Sequence, residues 1–126
     1  MRRIRANGLR ECRCRQVFMG VIEIHTTVGD LESAESLAVE LVTRRVAACV
    51  QVDSSVTSTY RWGGRIETAS ELRLTIKSTD RCLASTIETI RKLHPYTLPE
   101  IVWSEIEASP EYEAWVNGCL EESERG

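Results

Sequence analysis

Two runs of alternating apolar and polar residues meet at Trp62-Gly63-Gly64-Arg65, and this long hairpin limits the folds open to the chain. On one side Ala48, Val50 and Val52 alternate with Cys49, Gln51 and Asp53; on the other Leu72, Leu74 and Ile76 alternate with Arg73, Thr75 and Lys77. A period of two marks a strand with one buried face, and a glycine pair supplies the positive φ angles of a tight turn. Unbroken, Ala48 to Trp62 would span roughly 50 Å, whereas a compact domain of this size has a radius of gyration of about 13 Å. The hairpin must therefore bend sharply or project beyond its own core. A projecting ribbon carrying Tyr60, Trp62 and Ile66 offers apolar surface and open edges to another chain, which predicts an oligomer. A bent, monomeric hairpin is the alternative.

The elements around the hairpin follow from their own patterns. Val21 to Thr27 is rich in β-branched residues and reads as a strand with Ile22, Ile24 and Thr26 on one face. Asp30 is a candidate N-cap for a helix whose apolar stripe runs through Leu31, Ala34, Leu37, Ala38, Leu41 and Val42, with Arg44 and Arg45 in the last turn. Thr79 or Asp80 caps a second helix with Leu83, Ile87, Ile90 and Leu93 on one side, and His94-Pro95 ends it because the residue before proline avoids helical geometry. Glu100 to Glu107 is a further strand, and Ser109-Pro110 opens a closing helix through Tyr112, Trp115, Val116 and Leu120. The order β-α-β-β-α-β plus a helix predicts an α+β, ferredoxin-like split β-α-β sandwich with a long hairpin and an extra C-terminal helix. One sheet face is then left largely uncovered, a second pointer to assembly.

Length and charge narrow the function. A chain of 126 residues is enough for one cored domain. Residues 1–18 carry six Arg and one Glu and show no sustained period, so they read as a disordered or non-native extension ahead of Met19 and a domain over residues 19–122. Cys12 and Cys14 in that segment make a weak soft-metal signal. The remainder holds 10 basic and 18 acidic residues, which argues against a nucleic-acid surface. No apolar run reaches the roughly 20 residues of a membrane span. The five scattered cysteines do not resemble a disulfide framework, and with no secretory leader visible they predict a cytoplasmic protein.

Few side chains offer chemistry. His94 is either a cap at a helix C-terminus or a ligand and acid/base group. Cys49 is either a small buried hydrophobe or a soft ligand. Glu100 is a strand-edge charge or a ligand oxygen, and Lys77 a solvated lysine or an anion contact. Tyr60, Trp62 and Ile66 read as interface residues. No glycine-rich phosphate loop, Cys-x-x-Cys pair or nucleophile elbow is present, so no residue is assigned a catalytic role.

From about Met19 to Glu121 the chain resembles the CutA divalent-cation-tolerance family. The resemblance rests on His25-Thr26-Thr27, LVTRRVAACV from Leu41 to Val50, Tyr60-Arg61-Trp62, LTIKS from Leu74 to Ser78, HPYTLPEI from His94 to Ile101, and Tyr112-x-x-Trp115. It implies a tight homotrimer with hairpins packed on neighbouring subunits, tolerance to copper and other divalent metals, and an architecture similar to PII-type signalling proteins. The family's cysteine after the double alanine falls on Cys49, and its His-Pro-Tyr on His94, Pro95 and Tyr96. Its usual next glutamate is Thr97 here, while Glu100 remains. A Cys and His set favours copper or zinc over magnesium or calcium. The rival that the resemblance implies is a PII-like module taking a small anionic ligand or partner protein at inter-subunit clefts, with Arg61, Lys77 and Tyr96 as cleft residues. A purely structural trimer is the third reading.

Overall fold

A computed structural model describes residues 20–120. The expectations for residues 1–18, for Cys12 and Cys14, and for the domain's limits at 19 and 122 lie outside the described residues. The elements are β1 (Val21–Val28), α1 (Leu31–Thr43), β2 (Cys49–Val52), β3 (Val56–Trp62), β4 (Arg65–Ser78), a 3-10 turn (Asp80–Cys82), α2 (Leu83–Leu93), β5 (Val102–Ile106) and α3 (Pro110–Cys119). The antiparallel order β2-β4-β1-β5, with β3 paired to the outer half of β4, is the ferredoxin-like arrangement with a ribbon added.

The hairpin forms as the glycine pair requires: Gly63 and Gly64 take φ of 61° and 79°, a turn whose twist matches that of its strands. The expected single strand from Ala48 to Trp62 is instead two. Val52 faces Leu74 while Val56 faces Glu71, so β2 and β3 carry one residue more than β4 across the break. This is a bulge, which breaks the ladder and bends the strand bearing it. It also reverses the phase: Cys49 and Gln51 share a face with Lys77 and Thr75, but beyond the bulge the even residues Ser58, Tyr60 and Trp62 continue that face. Ile66, opposite Arg61, lies on the other face from Tyr60 and Trp62.

The helices cover the face built by Ile22, Ile24, Val28, Leu74 and Ile76, which packs with Ala34, Leu37, Leu41 and Ile90. Asp30 caps α1 by accepting from the Ser33 amide at 2.7 Å. The helix ends at Thr43 with Arg44 as its C-cap and Arg45 at φ 62°, so neither arginine sits in the last turn. Thr79 makes no side-chain cap bond, and α2 starts through the 3-10 turn. α2 stops at His94 in extended geometry, as Pro95 demands.

α3 begins with Ser109 Oγ accepting from the Tyr112 amide at 3.2 Å and Pro110 at its first turn. It packs Val116 and Leu120 with Val21, Ala48 and Cys82 at one end of the second sheet face. Among the described residues no helix is long and apolar enough to cross a membrane.

Candidate functional site

The second sheet face is bounded by α3 at one end and by the His94–Glu100 segment at the other. That segment is held by His94. Its Nε2 lies 2.9 Å from the Thr27 carbonyl, and its Nδ1 accepts from the Tyr96 amide at 3.1 Å. A carbonyl only accepts and an amide only donates, so the ring is neutral with its proton on Nε2. Burial pushes His94 below its ordinary pKa, against the opposing pull of the Thr27 carbonyl and Glu71.

The tight turn folds Tyr96 back over β4. Its ring lies 4.9 Å from the imidazole, tilted by 57°. Its hydroxyl donates to Glu71 Oε2 at 2.7 Å. Burial and the Glu71 carboxylate push the phenol up to about 12. Gly29 leaves room for this hydroxyl, which a Cβ there would meet at 3.4 Å.

Between Tyr96 and the ribbon lies a cleft of about 740 Å³. Tyr60 and Trp62 line its ribbon wall, Thr27 and Glu71 its sheet side, and Tyr96, Leu98 and Glu100 the opposite loop. Of the expected cleft residues, the structure brings only Tyr96 to it. Arg61 faces away from Tyr60 and Trp62. Lys77 stands six residues along β4 from Glu71, donating to Gln51 Oε1 at 3.2 Å and 4.0 Å from Glu23 Oε2. Glu23 in turn lies 3.6 Å from His25 Nε2, so a polar chain Gln51–Lys77–Glu23–His25 crosses the middle of the open face.

The expected metal ligands are also dispersed. Cys49 pairs with Lys77, which pairs with Glu23, whereas His94 bonds Thr27, four residues along β1, or about 13 Å away. Both imidazole nitrogens are already engaged. Glu100 lines the cleft. Among the described residues no group of three or more His, Cys, Asp or Glu is placed to hold a metal ion. Burial first, and then the half-buried Cys49 and Cys119, raise the Tyr112 phenol, and Cys82 is buried nearby; Cys49 and Cys119 are free thiols.

Sequence reasoning missed Glu71 and His25. Glu71 looked like an ordinary polar strand position, and only the fold reveals that Tyr96 buries it. The signal present in the sequence was parity, since Glu71 shares its strand face with Thr75 and Lys77.

A family model described as CutA1 divalent ion tolerance protein matches residues 22–119. The divalent-cation tolerance protein CutA of Thermus thermophilus is 42% identical over 91 residues, covering 71% of this chain and 88% of that protein. A crystal structure of CutA from Xylella fastidiosa superposes with a TM-score of 0.78 at 40% identity, over 80% of this chain and 98% of that one. A CutA structure from Archaeoglobus fulgidus, described as periplasmic, gives 0.76 at 30% identity, over 80% and 99%.

Proposed function

Because this chain belongs to the CutA1 divalent ion tolerance family, we propose that it is a non-enzymatic homotrimer that binds copper or another divalent ion. Cys49 is its primary ligand. The observation that carries this reading is a half-buried free thiol on β2, at the α3 end of the second sheet face. A thiolate selects copper or zinc over hard cations. Since the described residues of one chain hold no group of three ligands, the ion is completed by neighbouring copies, and His94 and Glu100 are the groups to test beside Cys49. Assembly is supported by Tyr60, Trp62 and Ile66, which are 43%, 55% and 62% exposed on the ribbon. The free thiols support a reducing, cytoplasmic compartment.

Calorimetric titration of Cu(I), Cu(II) and Zn(II) tests this, using protein in which Cys12 and Cys14 are replaced by Ser so that any site belongs to the folded body. Micromolar or tighter binding that disappears in Cys49→Ser while the trimer persists is the expected result. Binding that survives in Cys49→Ser, or none at all, overturns it.

A second reading is favoured by the cleft: a PII-like module that takes a small ligand beside the ribbon. A rise in melting temperature with a metal-free ligand, lost when the cleft wall is altered, would select it.

A further inference from the structure

The cleft beneath Tyr96 is acidic and aromatic, the reverse of an anion site. Among the described residues no Lys or Arg lines it. Glu71 is only 8% exposed, and its Oε2 bonds the Tyr96 hydroxyl. Among the described residues it has no Lys or Arg partner within ion-pair distance. Buried carboxylates are normally paired, because an uncompensated charge away from water is costly. Glu100, at the loop side of the same cleft, adds a second carboxylate. Tyr60, Trp62 and Tyr96 supply three aromatic rings, whose faces attract cations. A volume of about 740 Å³ admits a small organic molecule and exceeds what a bare metal ion needs.

We propose that this cleft binds a small organic cation, an ammonium or guanidinium group with carbon substituents. The charged nitrogen sits at the Glu71 and Glu100 carboxylates, and the substituents pack against Tyr60, Trp62 and Tyr96. The inference rests on the small-ligand reading and needs no metal at Cys49, although Glu100 is common to both sites.

The test is titration of the full chain with tetramethylammonium, agmatine and spermidine, followed by calorimetry and by tryptophan fluorescence. At least one of these probes should bind saturably at millimolar concentration or below. Glu71→Gln keeps an acceptor for Tyr96 but removes the charge, and should weaken binding about ten- to hundredfold, the range for a hydrogen bond to a charged group. Glu100→Gln, on an exposed residue, should act in the same direction. Trp62→Leu, compared at a protein concentration where light scattering shows the same assembly as wild type, should cost about two- to thirtyfold, the range of a cation–π contact. Glu105→Gln, on β5 outside the cleft, should leave affinity unchanged.

No saturable binding by any of these amines overturns the inference, and the further absence of phosphate and citrate binding overturns the small-ligand reading with it. Binding of phosphate or citrate in the cleft in place of the amines overturns the inference alone. So does amine binding that is indifferent to Glu71→Gln and Glu100→Gln, or equally weakened by Glu105→Gln.

Discussion

Tyr96 joins a loop to a strand through one hydroxyl, and the energetics of that contact are lopsided. Removing the hydroxyl leaves the buried Glu71 carboxylate without its bond, and an unsatisfied buried acceptor costs about 1–3 kcal/mol. Tyr96→Phe should therefore lower the unfolding free energy measured in urea by an amount in that range, without loss of helix or strand content by circular dichroism. His94 gives a pH signature. Its folded pKa lies below the ordinary 6.5 because burial outweighs the Thr27 carbonyl and Glu71. The unfolded chain then binds more protons as pH falls, so this group's stabilisation is complete above about 6.5 and is lost as pH drops through the folded value. Urea midpoints should decline between about pH 7 and pH 5, and His94→Gln should flatten that decline. The helix stop at His94-Pro95 was legible in the sequence because proline sterics are local. The imidazole's partners were not, because Thr27 lies 67 residues away.

Among the elements, the hairpin was read correctly at its turn and incorrectly along its length. Glycines impose their backbone angles locally, whereas strand phase is visible only where apolar residues alternate. Ser54-Ser55-Val56-Thr57-Ser58-Thr59 is nearly all small and polar, so one added residue passes through it without disturbing any hydrophobic pattern. Tyr60 and Trp62 then appear to share their side with Ile66, although the ribbon separates them. α3 shows the opposite case, since Ser-Pro ahead of an apolar stripe announces both cap and helix. Ser109→Ala should cost about 0.5–2 kcal/mol in chemical denaturation, the usual value of an N-cap. The loss should localise to the Val21 and Val116 cluster.

At the scale of the molecule, one sheet face is packed by two helices and the other only at its ends. The strand and helix order implied this asymmetry, and it is the reason the sequence points to assembly. The candidate site was less legible, because Cys49, His94, Glu100 and Lys77 were chosen as residue types and the fold distributes them along several rungs. If the ribbon aromatics anchor a trimer, Tyr60→Ala or Trp62→Ala should remove an anchor of about 2 kcal/mol or more and weaken association roughly thirtyfold. Light scattering across a dilution series reads this directly. Unchanged mass in both variants at low micromolar protein would place the anchors elsewhere.

β4 belongs to two structures at once. Its inner stretch, Leu74 to Lys77, has a strand on each side, whereas Arg65 to Glu71 is bonded to β3 alone. In a native-state deuterium experiment the inner amides open only with the whole domain, while those of the ribbon exchange through local fraying. A partner gripping the ribbon would slow the outer amides first and leave the inner ones unmoved. The point along β4 where protection changes would thus record how far a partner's grip extends.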